Sequence, residues 1–425
     1  MRILLTGASG FIGRHLQAAL LAEGHCLVCT TRTPSKPTNP AVAYLEADFT
    51  CDTDQSKWVE RLREIDIVIN AVGIFQESGR QTFAALHTEA PCALFAACAE
   101  SACVTLVIQL SALGADDGAA TAYHLSKKAA DDVLAALPLR SFIIQPSLVY
   151  GRDGASTRVF KMLASMPFCM RFGTAPQLVQ PVHVDDLVAA VATLVRQPLA
   201  MAVEGATTRR IALVGPAAMP FIDYLATLRC AMGLGKPRVL VLPHFLARLI
   251  ARLRLGLLDL DALRMLDRGN VADPALTTRL LGHPPRSVAT FVDDPAAERV
   301  QAKLGWLLPV LRYAVAGVWI ATAIVSAFFF PAEQSYQLLE RTGVPAAWQP
   351  LMLYGASAFD LLLGLGILVL TRRRWLWLVQ LGLIGFYTVV IALTLPEFLV
   401  HPYGPLTKNL PMLAAIWLLY ELEEK

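Results

Sequence analysis

Tyr123 and Lys127 lie four residues apart in the run Tyr123-His124-Leu125-Ser126-Lys127, a spacing that puts both side chains on one face of a helix. An ammonium next to a phenol favours phenolate, so the lysine is expected to lower the tyrosine's pKa. Upstream, Ser111 is expected at the end of a strand. A hydroxyl fixed there can hydrogen-bond a substrate oxygen while the tyrosine delivers or removes that oxygen's proton. These three residues suffice for the proton half of hydride transfer at a carbonyl or secondary alcohol.

The hydride half needs a carrier, and the first residues of the chain have the pattern that holds one. Gly7-Ala8-Ser9-Gly10-Phe11-Ile12-Gly13 follows an apolar β-rich run and opens a helical one. In that setting glycines allow a tight turn and close backbone approach, and the helix N-terminus, through the amides around Phe11, Ile12 and Gly13, attracts a pyrophosphate. The second strand ends in Thr30-Thr31-Arg32 where an acid would select a ribose 2′-hydroxyl, and an arginine there suits a 2′-phosphate. The expected cofactor is therefore NADP(H), with NAD as the other choice. Asp48 and Phe49 are expected near the adenine, and Ala71, Val72 and Gly73, after Asn70, beside the cofactor. No metal site is expected. Cys26 and Cys29 form a CxxC, but within a strand residues three apart point to opposite faces.

The elements that must position these residues alternate. Strands are expected at 2–6, 26–31, 43–46, 66–70, 105–110 and 141–145, with helices at 11–23, 81–101 and 122–137. That alternation implies βαβ units and a doubly wound α/β Rossmann domain. Residues 1–300 form this domain, with a small substrate lobe mainly at 152–291 that includes strands at 210–214 and 238–242. Within the lobe, 245–254 reads as a basic amphipathic helix that either packs on its own domain as a surface helix or lies on an anionic bilayer.

From 301 to 425 an all-α transmembrane bundle is expected. Its spans are 306–330, 350–371 and 375–395, each long enough for a hydrocarbon core of about 30 Å at about 1.5 Å per residue, and a shorter fourth candidate is 409–420. The triple arginine Arg372-Arg373-Arg374 places the loop between the second and third spans in the cytoplasm. The Rossmann domain then lies on the same side of a cell membrane (the inner membrane, in a bacterium), and the loop 331–349 lies outside. Arg312 near the end of a span can snorkel to the interface. Asp360 in mid-span is either a structural pair or a functional carboxylate.

Composition agrees with a membrane protein. Of the 425 residues 55% are hydrophobic and 17% charged, against about 45–50% and about 25% in an average soluble domain. A net charge of +3, with no basic block interleaved with aromatics, sets nucleic acid aside. The eight cysteines fall mostly in apolar runs and are expected to be buried thiols in a reducing compartment.

On Gly7, Gly10 and Gly13, the Asn70-Ala71-Val72-Gly73 stretch, Ser111, Tyr123 and Lys127, residues 1–300 resemble the short-chain dehydrogenase/reductase superfamily. Gln145-Pro146-Ser147-Leu148-Val149-Tyr150-Gly151 and His183-Val184-Asp185-Asp186 resemble its extended and atypical branches, including the branch related to the nucleotide-binding accessory subunit of respiratory complex I. The proline motif carries Gln145 where that family usually has arginine. The tail, through His401-Pro402-Tyr403-Gly404-Pro405 and Lys408-Asn409-Leu410-Pro411, resembles DoxX-like membrane proteins, which are four-helix bundles. The resemblance implies an NAD(P)-dependent oxidoreductase with Ser111, Tyr123 and Lys127 as its catalytic set, Tyr123 and Lys127 also touching the cofactor, and the tether makes a lipophilic substrate plausible. Two alternatives stand beside it: a non-catalytic nucleotide-binding factor that assembles or stabilises a membrane complex, and a nucleotide-sugar epimerase or dehydratase.

Overall fold

The computed structural model describes residues 1–423 apart from 35, 38, 173–175, 199–206, 244, 246–259 and 403. The amphipathic stretch expected at 245–254 thus lies, from 246 onward, outside the described residues. The chain divides into two compact units, Met1–Ala302 and Lys303–Lys425.

In the first unit the apolar runs become strands β1 (Arg2–Thr6), β2 (Cys26–Thr31), β3 (Val42–Glu46), β4 (Ile67–Asn70), β5 (Leu106–Leu110) and β6 (Ser141–Pro146). With a seventh, Thr208–Leu213, they form one sheet in the order seventh-β6-β5-β4-β1-β2-β3. All six pairings are parallel. Alternation of side chains sends successive residues to opposite faces, and both faces are covered. Ile3, Leu5, Ile67, Ile69, Leu106 and Ile108 join one core with the first helix (Phe11–Ala22) and the helix Val184–Arg196. Leu4, Val68, Val107 and Ile143 join the other, with Trp58 and the helices Ala90–Glu100 and Ala122–Ala136. The strand order reverses between β1 and β4, where such sheets open a crevice at their carboxyl ends.

The region 152–291 is not a single lobe. The strand expected at 210–214 pairs in parallel with β6 at the edge of the main sheet, because its alternating Ile211 and Leu213 are fully buried there. The smaller core is built instead around Tyr150, Ala164, Phe221, Tyr224, Leu225 and Phe291. In it Glu298 receives hydrogen bonds from the Tyr150 hydroxyl at 2.9 Å and the Lys161 ammonium at 2.8 Å. The proline motif therefore ends on a buried ion pair, which is costly to break once formed. Gln145 donates to the Ala115 carbonyl at 3.1 Å, and His183 caps its helix by accepting from the Asp185 N–H.

The second unit is helical. Among the described residues three helices are long and apolar enough to cross a membrane: Pro295–Phe329, Ala346–Val369 and Arg374–Thr394. The helix Asn409–Leu422 has 14 residues and extends about 21 Å at 1.5 Å per residue, short of a core of about 30 Å. Its Ile416 and Leu419 nonetheless pack with Trp319, Ile367, Trp377 and Ile384 in the bundle core. Large apolar side chains such as Phe328, Leu362 and Leu393 face outward, as lipid-facing positions do. A Cβ at Gly364 would come within 2.6 Å of Ile320, so glycine is what lets those two helices approach. The loop expected at 331–349 contains a helix, Ala332–Arg341, and Arg341 pairs with Glu397.

Candidate active site

Buried side chains tie together the carboxyl ends of β1, β4 and β5. The Thr6 hydroxyl donates to Asn70 Oδ1, and the Asn70 amide donates to Gln109 Oε1 at 2.7 Å. Just beyond these ends lie the glycine turn, the Ala71-Val72-Gly73 stretch and Ser111.

The glycine turn is sterically specified. Gly7 has φ +68°, and a Cβ there would meet the Ala71 backbone at 2.7 Å, while a Cβ at Gly13 would lie 2.0 Å from the Gly7 carbonyl oxygen. Gly10 differs: its Cβ would find only Gly7 O, at 3.1 Å. Gly10 caps the first helix without a side-chain hydrogen bond, leaving the first amides for another acceptor. This open cradle fits a pyrophosphate. Phe11 and Ile12 use their side chains for packing, Phe11 against Gly151 and Ile12 against the first core, so only their backbone remains for a cofactor.

Tyr123 and Lys127 share a face of the helix Ala122–Ala136. Lys127 is buried, and two of its three donors go to the carbonyls of Val72 at 3.1 Å and Leu110 at 3.0 Å. Burial pulls its pKa down to about 8, and Asp131 pulls the other way. The Tyr123 ring is half-buried among Phe75, Phe83, His87 and His124. Its phenol is pushed up to about 12 by desolvation, with the Asp131 charge adding to the effect. The expected lowering by Lys127 is not found, because burial and the Asp131 charge both act in the opposite direction.

Ser111 also differs from expectation. Its hydroxyl donates to Asp131 Oδ2 at 2.5 Å, so its proton is directed into the protein. Phe49 is no adenine contact by its side chain, since its ring packs edge-on against Trp58 at 5.4 Å in the core. Asp48 accepts from the N–H and hydroxyl of Thr50. Arg32 is exposed just past β2.

Two residues that sequence reasoning passed over belong to the same cluster. Asp131 lies one turn beyond Lys127, on the face already defined by Tyr123, and that i+8 position was the available signal. His87 accepts from the Ile74 N–H at 3.0 Å and bonds Ser126 through its other nitrogen at 2.9 Å. Burial, then the Lys127 charge, drive its pKa down to about 2. Its ring is therefore neutral and forms one wall beside Gly73 and Tyr123. Four of the eight cysteines (Cys26, Cys51, Cys103 and Cys230) are exposed rather than buried, and all are free thiols. Among the described residues no cluster of His, Cys, Asp or Glu could hold a metal.

Residues 3–206 match the NAD dependent epimerase/dehydratase family, and residues 316–417 match the DoxX-like family. The chain joins an epimerase-like NAD(P)-binding Rossmann domain to a DoxX-like domain. With its three long apolar helices, the protein is membrane-associated. The chain is similar to ceramide reductase from Caulobacter vibrioides (strain NA1000 / CB15N), at 27% identity over 210 residues, 49% of this chain and 65% of the reductase, so it spans less than two thirds of that relative's length. Among solved structures it shares its fold with a nucleoside-diphosphate-sugar epimerase from Staphylococcus aureus (TM-score 0.55, 16% identity, 69% of this chain and 100% of that one). It does so too with UDP-glucuronic acid 4-epimerase from Bacillus cereus in complex with NAD (TM-score 0.51, 20% identity, 72% and 100%).

Proposed function

We propose that the protein is a membrane-anchored oxidoreductase that uses NADP(H) to interconvert a carbonyl and a secondary alcohol on a lipophilic substrate. The observation that carries this reading is the convergence of Ser111, Tyr123 and Lys127 on the carboxyl ends of β4 and β5 beside the Gly10 cradle. The dinucleotide, when bound, supplies or accepts the hydride. Gly7, Gly10 and Gly13, the first-helix amides and the Ala71-Val72-Gly73 backbone hold it, with Arg32 at the 2′-phosphate and Asp48 and Phe49 lining the adenine side through backbone and carboxylate. Lys127 keeps one donor for the ribose. Tyr123 gives its proton to the substrate oxygen or takes it back. Its raised pKa favours the protonated phenol and so the reductive direction at neutral pH.

The likeness to a ceramide reductase supports a long-chain amide as substrate, and membrane anchoring suits such a molecule. The test is hydride transfer from NADPH to a ceramide carrying a carbonyl in place of its secondary hydroxyl, with the full-length protein in lipid nanodiscs. Tyr123→Phe keeps the ring's packing and should lose roughly 10²-fold or more in turnover, the usual worth of a positioned acid, while NADPH still binds. If wild type binds NADPH but transfers no hydride, the oxidoreductase reading falls and the nucleotide-dependent assembly factor takes its place; if Tyr123→Phe turns over like wild type, Tyr123 is not the acid.

The arginine-rich loop supports a cytoplasmic Rossmann domain. In a cysteine-free background, thiol labelling of intact cells should modify Glu340→Cys and spare Arg372→Cys; the opposite pattern reverses the orientation.

A further inference from the structure

Asp131 is fully buried. One of its oxygens accepts the Ser111 hydroxyl, and the other has no hydrogen-bond partner. Lys127, a turn away, directs its hydrogen bonds to the Val72 and Leu110 carbonyls. A hydroxyl has a single proton. With that proton given to Asp131, Ser111 Oγ can only accept from whatever sits in the site.

We propose that Asp131 is a positioning residue that sets the polarity of Ser111: ionised, it holds the serine oxygen as an acceptor suited to an alcohol, and protonated, it turns the serine into a donor suited to a carbonyl. This rests on the oxidoreductase reading of the same site. The switch is a reversal of one hydrogen bond. A neutral carboxyl donates to Ser111 Oγ, and the serine's own proton rotates toward the site; no covalent bond changes.

The surroundings place this switch in an accessible range. Burial pushes Asp131 up to about 6, while the Ser111 hydrogen bond, Lys127 and Arg210 pull it down and Asp132 pushes it up. Lys127 and Asp132 belong to its own helix, and Arg210 comes from the seventh strand and also pairs with Asp132. Ser111 faces it from the end of β5, Tyr123 lies two turns back, and His87 on the adjoining turn is uncharged.

The experiment uses the full-length protein in nanodiscs and follows hydride transfer in both directions on ceramide and its keto counterpart, across pH 5 to 8 in about half-unit steps around the acid's midpoint. Wild type should show KM for the alcohol falling and KM for the ketone rising as pH passes through about 6, each roughly tenfold, the worth of one mismatched hydrogen bond. Asp131→Asn should flatten both profiles, and Ser111→Ala should leave nothing further for Asp131→Asn to change. Profiles that persist in Asp131→Asn overturn the proposal. A second readout needs no turnover: infrared difference spectra should contain a protonated-carboxyl band that vanishes in Asp131→Asn and whose midpoint moves up in Ser111→Ala, where the bond holding it down is lost. An unmoved midpoint overturns the coupling. A shifted midpoint without hydride transfer to either probe upholds the coupling and rejects the substrate reading.

Discussion

Both units of the protein bury polar side chains, and they do so differently. In the sheet unit these groups gather at the carboxyl ends of the strands: Thr6 to Asn70 to Gln109, Lys127 to two carbonyls, His87 to the Ile74 amide, Ser111 to Asp131. In the bundle they are sparse pairs, Trp319 with Gln380 at 2.8 Å and Asn409 with Thr388 at 2.7 Å. Each unit also buries atoms without a hydrogen-bond partner, Gln109 Nε2 and Asp131 Oδ1 in the sheet unit, Gln380 Nε2 and Asp360 Oδ1 in the bundle. Strands that end at a crevice expose carbonyls and amides that have left the ladder, and these recruit side chains. A helix satisfies its own backbone, so its side-chain polar groups must find one another. Polar residues therefore converge in the first unit and scatter in the second, and only convergence builds a site.

The sharpest way to test that contrast is Gly13→Val. The first atom of the new side chain would sit 2.0 Å from the Gly7 carbonyl, and the turn cannot move without disturbing the Ala71 backbone behind Gly7. NADPH binding by calorimetry should be abolished, while the bundle, which has its own apolar core, keeps its membrane insertion. Affinity within about tenfold of wild type, or about 1.4 kcal/mol, would show that the cradle is not where the cofactor sits.

The described residues of the bundle also include a polar cluster resembling those of the sheet unit, and it sits at an end. Glu423 accepts from Arg373 at 2.9 Å, Trp377 at 3.1 Å and Arg312 at 3.5 Å. Arg373 also caps the Ile367 carbonyl, and Arg374 lies over the Tyr420 ring. Arg312, which can snorkel to the interface, thus also has a carboxylate partner. Glu423→Ala strands two largely buried guanidinium groups and should destabilise the bundle by roughly 3 kcal/mol, the low end for breaking a buried pair. Thermal melting in detergent reads this, and an unchanged midpoint would mean that the cluster is solvated ornament and that the bundle depends on its apolar core alone.

How much of this was legible in the sequence follows the same divide. Ile3, Leu4 and Leu5 alternate between two cores, and such runs bounded by glycine turns place six strands to within a residue at either end. Gly7, Gly13, Tyr123 and Lys127 are legible because backbone geometry or helical spacing fixes their types locally. The Ser111–Asp131 bond was not, since it joins residues 20 apart through a crossover. The upward shift of Tyr123 was missed for a related reason: the rings that desolvate it come from Phe75, Phe83 and His87, and no local spacing reports them. The strand expected at 210–214 falls to the lobe by its neighbours in sequence, although the strand that forms, Thr208–Leu213, pairs with β6. In the bundle, hydropathy gives the spans but not their partners, so the Glu423 cluster was invisible.

The smallest expected effect tests the sheet unit's rim. Arg32 is exposed and past the end of β2, outside the buried chains that fix the rest of the cradle. Its attraction to a 2′-phosphate therefore acts through solvent, where ion pairs are weak and screened by salt. Arg32→Ala should lower NADPH affinity by only about tenfold, roughly 1.4 kcal/mol, and leave NADH affinity unchanged. The wild-type preference should also shrink as ionic strength rises, because a Debye length of about 8 Å near physiological salt leaves an exposed pair little reach. Titrating both cofactors at low and high salt separates the cases. Tighter NADH binding in wild type, or a preference for NADPH that survives Arg32→Ala, would move the choice of cofactor from this exposed charge to the buried backbone of the cradle.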